Sequence, residues 1–160
     1  MSKEVKVDIH SDDEIAKAFA AQNEMAEYVM NPVRSVAEVN IEQGLMQLID
    51  MCYGDARKAG WYTDLKTGED KKINFGERIA LVHSELSEAL EADRKGLMDE
   101  KLFWRGGVEC ELADAIIRIA DMAGHERLGL AEAVIQKLRF NRYREDHKME
   151  NRKSQGGKKY

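Results

Sequence analysis

The sequence predicts an all-α fold, a bundle of four to five amphipathic helices. In its best-patterned stretches, apolar residues recur every three or four positions, which places them on one face of a helix. Residues that favour helix starts and ends, such as Asn74 and Gly96, flank these stretches. A single proline and the lack of strictly alternating β-branched residues argue against a mainly β fold.

The 160 residues suit a single domain with its own hydrophobic core, which we assign to residues 11–147. Residues 1–10 are expected to form a loose arm, and the polar, basic residues 148–160 a disordered tail. Ser11 and Ser35 each begin a capping box, and the polar loop 61–73 is expected to be mobile. The expected helices cover about residues 12–29, 36–59, 75–95, 107–123 and 130–147.

Two pairs of carboxylates lie beside the apolar stripes of the third and fourth helices. Glu85 and Glu88 are three residues apart, as are Glu111 and Asp114, so each pair shares one helix surface. If these helices pack antiparallel through a short link, four carboxylates approach one point. Like charges at that distance repel unless a cation holds them, and oxygen ligands favour a hard ion such as Mg²⁺ or Mn²⁺.

The apolar stripes next to those acids define the expected core. Cys110 lies in the same region and is interpreted as a plain buried thiol. Amphipathic helices without a β layer can bury stripes on several sides by pairing with another chain, so we expect at least a homodimer. The stripe residues are Ile79, Val82, Leu86 and Ala89 on the third helix, and Val108, Leu112, Ala115, Ile119 and Met122 on the fourth.

Composition narrows the function classes. The net charge of −5 argues against general nucleic-acid binding, which needs a basic face. No apolar run approaches the roughly 20 residues of a membrane span, and the polar N-terminus lacks the apolar region of a signal peptide. The two cysteines have no metal-binding or redox spacing, so we expect a cytoplasmic protein with reduced thiols.

Three blocks of sequence resemble a known family. The stretch Leu81–Ala89, the motif Glu111–Asp114 and the spaced residues Lys137, Asn141 and Arg144 are similar to the MazG-type all-α nucleoside triphosphate pyrophosphohydrolases. The resemblance covers roughly residues 38–146. It implies a MazG-like helical bundle that assembles as a dimer or tetramer.

The sequence departs from the family pattern at two places. Ser84 stands where the family often has a glutamate. In the second motif the family often has Glu-Glu-Leu-Gly-Asp, and here Cys110 and Ala113 replace the first glutamate and the glycine. Neither departure removes a carboxylate from the metal-binding positions. Both bear on which branch of the family, and therefore which nucleotide, applies.

The resemblance implies hydrolysis of a nucleoside triphosphate to the monophosphate and pyrophosphate, with a deoxynucleotide as the expected substrate. Glu85, Glu88, Glu111 and Asp114 would be the catalytic residues and the ligands of Mg²⁺, with Mn²⁺ as a substitute. The substrate-binding residues would be Lys137, Asn141 and Arg144 on the polyphosphate, together with Trp61 and His83.

Each of these features also has a structural interpretation. Acidic pairs and basic rows are common on solvated helix faces, a lone tryptophan is often a core or dimer contact, and His83 is by default packed or hydrogen-bonded. Asp121 is interpreted as a surface charge, with a role behind the metal ligands as the alternative. Arg118, four residues after Asp114, is a candidate partner for that carboxylate.

Three other functions compete with dNTP hydrolysis. A phosphoribosyl-ATP pyrophosphohydrolase shares this fold type, and a non-catalytic helical interaction module would keep the carboxylates as surface charge. A di-iron carboxylate bundle would need histidine three residues after a ligating glutamate, and neither acidic pair is followed in that way.

Overall fold

A computed structural model describes residues 12–30 and 33–153 of the chain. Its helices are α1 Asp12–Met30, α2 Val36–Lys58, α3 Phe75–Lys95, α4 Gly107–His125, α5 Leu130–Tyr143, a 3-10 turn Glu145–His147 and α6 Met149–Lys153. Within these residues there is no β-strand, only two isolated bridges, which confirms the all-α prediction. No helix in this part of the chain is long and apolar enough to cross a bilayer.

The helix boundaries follow the predicted caps. Ser35 and Glu38 form the expected capping box, since each backbone amide donates to the other residue's side chain at 3.1–3.2 Å. The Asn74 side chain accepts from the amide of Gly76 at 2.9 Å at the start of α3. Gly96 ends α3 in the left-handed conformation, with φ of 63°. The first capping box and the arm 1–10 lie outside the described residues.

The contacts divide the chain into two compact units. One consists of the chain ends, up to Val39 and from Glu132 onward, and the other of Asn40–Ala131. In the central unit α3 and α4 pack as an antiparallel pair. Gly107 approaches Ala92 beside the link, and Arg78 pairs with Asp121 at the far end. The predicted hairpin of the two acidic helices is therefore present.

Each predicted apolar stripe is only partly buried. Val82, Ala89, Ala115 and Met122 lie in the core, as does the thiol of Cys110. Four further stripe positions are 36–46% exposed, because each helix buries the side that faces its partner and leaves the adjacent side open. These exposed positions are Ile79, Leu86, Leu112 and Ile119.

The loop 61–73 is a hydrogen-bonded turn anchored at its base. Thr63 and Asp70 form an antiparallel bridge, and the Asp64 amide donates to the Glu69 carbonyl at 2.7 Å. Next to this turn, the Tyr62 side chain is 2% exposed. The Tyr62 ring packs edge-on against Tyr53 of α2 and lies 4.5 Å from the Arg78 guanidinium of α3, so the start of the loop contacts both helices.

In the chain-end unit a buried arginine joins three segments. The Arg139 guanidinium donates to both Glu38 oxygens at 3.1 Å and to the Val29 carbonyl at 3.1 Å. Hydrogen bonds from Arg139 and the Ser35 amide lower the pKa of Glu38 from its ordinary 4.5 to about 2. This arrangement ties the end of α1 and the start of α2 to α5.

The C-terminal boundary differs from the prediction. We expected the last helix to continue to residue 147, but α5 ends at Tyr143 and Arg144 is extended. The Arg144 side chain pairs with Asp146, two positions on, and residues at that offset do not face each other on a helix. Residues 149–153, which we expected to be disordered, form α6, and residues 154–160 lie outside the described residues.

Candidate metal centre

Three of the four predicted carboxylates converge on one point. Glu85 and Glu88 project from neighbouring turns of α3, and Glu111 reaches them from α4. Each offers an oxygen, and these oxygens all lie within 4.8 Å of one another. The i, i+3 spacing on one helix and the antiparallel packing of the next create this cluster, as the sequence predicted.

The spacing of these oxygens is compatible with a small divalent cation. Mg²⁺ binds oxygen at about 2.1 Å in octahedral geometry, so its ligand oxygens lie about 3 Å apart when adjacent and about 4 Å when opposite. The 4.8 Å limit on the three carboxylates is slightly wider than that, so binding of the ion would require small side-chain rotations. The donor set fits Mg²⁺ or Mn²⁺ better than a soft metal.

Glu85 is the buried member of the cluster, with 5% of the residue exposed. Its Oε1 accepts from Arg118 Nε at 2.6 Å. Arg118 was a candidate partner for Asp114 on its own helix, but in the structure it pairs with Glu85 across the hairpin. A carboxylate that is this buried requires such a partner, whereas Asp114 is exposed and is solvated without one.

Among the acids of the cluster, Glu111 has a raised pKa. Burial raises the pKa of its carboxyl above the ordinary value, and a hydrogen bond with Glu85 and the negative charges of Glu88, Glu85 and Asp114 raise it further. Asp114 therefore lies close enough to influence Glu111, but it falls outside the group of three converging oxygens. Crowded acids of this kind favour either a bound proton or a bound cation.

A second polar cluster supports the end of the hairpin. The Tyr62 hydroxyl donates to Asp121 Oδ1 at 2.7 Å, and Arg78 donates to Oδ2 at 2.6 Å. The Arg78 guanidinium lies 4.5 Å from the Tyr62 ring centroid, and the His125 ring stacks on the Tyr62 ring with a centroid separation of 4.5 Å. Interpreting Asp121 as a surface charge was wrong, since its side chain is 15% exposed and both of its oxygens accept hydrogen bonds.

The sequence contained only a partial signal for these contacts. Arg118 lies seven residues after Glu111 and so shares its helix face, which indicated proximity without identifying Glu85. Tyr62 lies 59 residues from Asp121, and no local spacing connects them. Burial of one tyrosine next to the exposed Trp61 becomes visible only in the folded chain.

The predicted phosphate-binding row belongs to the chain-end unit. Lys137 and Asn141 lie on α5, one turn apart, and Lys137 Nζ lies 4.8 Å from the Phe140 ring centroid. Arg144 follows the helix and pairs with Asp146, so the three residues do not form one helical row. A cavity of about 300 Å³ lies beside Lys137, lined also by Phe140, Gln136, Ala133 and Val29.

Trp61 and His83, the remaining predicted substrate residues, are both exposed. Trp61 is 68% accessible at the start of the loop, and His83 lies on α3 two residues before Glu85. Neither joins the three-carboxylate cluster.

Comparison of the chain with protein-family models, with curated proteins and with solved structures gave no match.

Proposed function

We propose that this chain is a Mg²⁺-dependent nucleoside triphosphate pyrophosphohydrolase of the MazG type, which converts a (d)NTP to the (d)NMP and pyrophosphate. The single observation that supports the proposal best is the convergence of Glu85, Glu88 and Glu111 from two packed helices. The pKa of Glu111 is raised in this cluster, and perturbed acids of that kind are typical of functional sites.

Glu85, Glu88 and Glu111 would hold the cation, and Asp114, one turn from Glu111, would join them after a side-chain rotation. Bound Mg²⁺ supplies charge neutralisation on the phosphates and orientation of the attacking water. The water oxygen forms a bond to the α-phosphorus, and the bond from that phosphorus to the bridging oxygen breaks. The water's proton goes to a carboxylate of the cluster, and pyrophosphate leaves.

Cationic side chains are needed on the polyphosphate as charge develops on the leaving group. We assign that role to Lys137 and Arg144, with Asn141 as a neutral hydrogen-bond donor, following the resemblance of the sequence. Arg144 would have to exchange Asp146 for phosphate, which a guanidinium can do because phosphate accepts the same bidentate pairing. Trp61 offers an exposed aromatic face for a base.

Pyrophosphate release from a panel of nucleotides tests the proposal. We expect Mg²⁺-dependent turnover in the wild type and a loss of at least about 100-fold in Glu88→Gln, because a ligand that holds the metal is removed. Glu91→Gln is the matched control. It removes a glutamate from the same helix, where Glu91 pairs with the exposed Arg94 and Lys95, and it should keep normal turnover.

The same panel separates the competing functions. Turnover of phosphoribosyl-ATP without turnover of dNTPs would identify the related pyrophosphohydrolase instead. No turnover of any nucleotide with Mg²⁺ or Mn²⁺ present, in a protein that is folded by circular dichroism, would favour a non-catalytic module and refute the proposal.

We also propose that the chain forms a homodimer or homotetramer through the open side of the α3–α4 hairpin. Leu86 and Leu90 each lie two positions from Glu88, which places them roughly opposite the acidic side of α3. An exposed apolar face that continues across two helices is typical of an interface between chains. The face consists of Ile79, Leu86, Leu90, Leu112, Ile116 and Ile119.

Light scattering on two charge insertions tests this interface. Ile116→Glu should reduce the wild-type oligomer to monomers, because an unpaired carboxylate cannot be buried between apolar helices. Leu128→Glu changes an equally exposed residue outside the face and should leave the oligomer intact. A monomeric wild type at micromolar concentration would refute self-association.

A further inference from the structure

Arg118 is the cation that the structure places on the buried acid of the cluster. Its Nε lies 2.6 Å from Glu85 Oε1, and its side chain is 42% exposed whereas that of Glu85 is 7% exposed. The guanidinium therefore comes from the solvent side to a carboxylate that is otherwise enclosed by protein. A buried carboxylate without a counter-charge is strongly unfavourable, so this pair stabilises the hairpin in the absence of metal.

Glu85 is thus assigned to two cations. A guanidinium hydrogen occupies one lone-pair direction of Oε1, and a divalent ion at about 2.1 Å would approach the same carboxylate. Even if the ion uses the second oxygen, its two positive charges and that of Arg118 lie within a few ångströms. Their repulsion is only weakly screened next to a buried group.

We propose that Arg118 is the built-in counter-ion of the metal-free centre and that it leaves Glu85 when a divalent cation binds. This inference rests on the proposed metal centre and adds a positioning residue to it. Without metal, Arg118 supplies the positive charge beside Glu85, the buried acid of the cluster. The exposed position of its side chain gives the guanidinium room to swing into solvent.

The exchange has a thermodynamic consequence. The free energy with which Arg118 stabilises the metal-free protein is subtracted from the free energy of metal binding, because the contact is given up when the ion enters. Removing the positive charge should therefore do two things together. It should weaken the metal-free fold and strengthen metal binding.

Calorimetric titration with Mg²⁺ measures the second effect. For Arg118→Gln we expect a dissociation constant about tenfold lower than that of the wild type, and a larger rise in melting temperature on saturation with Mg²⁺. Arg118→Lys keeps the charge and should stay within about twofold of the wild type. Arg94→Gln removes an exposed arginine of α3 that pairs with Glu91, and it should match the wild type.

A second measurement is made on the wild-type protein, so its result does not depend on whether a variant folds. The Nε–H resonance of Arg118, assigned by its absence from Arg118→Lys, should be shifted by its short contact to Glu85 and should move toward the position of a solvated arginine as Mg²⁺ is added.

The outcomes distinguish the two proposals. Wild-type protein that does not bind Mg²⁺ at millimolar concentration overturns both the metal centre and the role of Arg118. Wild-type protein that binds Mg²⁺, with equal or weaker binding in Arg118→Gln or an unchanged Arg118 resonance, overturns the counter-ion role alone. Equal tightening by the lysine and glutamine variants would also overturn it, because the charge would then be irrelevant.

Discussion

Replacing Tyr62 by phenylalanine removes one hydroxyl from the cluster that fastens the loop 61–73 to the hairpin. The ring is 2% exposed and keeps its stacking on His125, while the 2.7 Å hydrogen bond to Asp121 is lost. Asp121 retains only Arg78 as a charged partner. The substitution therefore isolates one buried hydrogen bond to a carboxylate.

The magnitude follows from the type of bond. A hydrogen bond to a charged group contributes about 1.5–3 kcal/mol, and the 15% exposure of the Asp121 side chain lets water replace part of it. We expect Tyr62→Phe to lower the free energy of unfolding by about 2 kcal/mol. For a chain of this length that corresponds to a fall in melting temperature of about 4–8 °C.

Tyr53→Phe is the matched control, because Tyr53 packs edge-on against Tyr62 in the same group of rings. Its hydroxyl has only an exposed contact of 3.5 Å with Arg57, so its loss should cost no more than about 0.5 kcal/mol. Urea denaturation of both variants and the wild type measures the difference. Equal stability of the two variants would refute the assignment of Asp121 as a buried acceptor.

Three further predictions concern packing and pH. Gly124→Ala should destabilise the fold by about 1–3 kcal/mol, because the new Cβ would lie 2.6 Å from Tyr53 Cβ. In Gly44→Ala the new Cβ meets nothing within 4 Å, so this substitution should stabilise α2 by about 0.5–1 kcal/mol. Thermal melts of the two variants and the wild type measure the difference. The pKa of Glu38 is lowered from 4.5 to about 2, so the stability that the Glu38 carboxylate contributes should be complete above about pH 4.5 and decline as pH falls toward 2. In Glu38→Gln, this part of the acid-induced loss of stability should be absent. Mg²⁺ affinity should rise with pH, since the raised pKa of Glu111 makes a proton compete with the metal; an affinity that is the same at about pH 5.5 and pH 7.5 would contradict this.

The helices of the central unit follow from local signals. Asn74 and Gly96 bound α3 because a side-chain acceptor and a left-handed glycine satisfy the free backbone groups at its ends. The acids three residues apart share a surface for the same local reason. Helix bounds and the direction of Glu85, Glu88 and Glu111 could therefore be predicted from spacing alone.

Pairings between distant segments could not be predicted in this way. Periodicity identifies the face of α4 that carries Arg118, but the choice between Asp114 and Glu85 depends on which carboxylate is buried. Similarly, the environment of Asp121 depends on Tyr62, which lies in the loop after α2 and donates a hydrogen bond to it. At the C-terminal end, the local pair of Arg144 with Asp146 replaced the expected last turn of α5.

The most direct test of the central claim is anomalous diffraction from crystals soaked with Mn²⁺. We predict a single strong anomalous peak in direct contact with carboxylate oxygens of Glu85, Glu88 and Glu111, with the Arg118 guanidinium turned away from it. A peak at another place on the chain, or none at saturating Mn²⁺, would contradict the assignment of these glutamates as metal ligands.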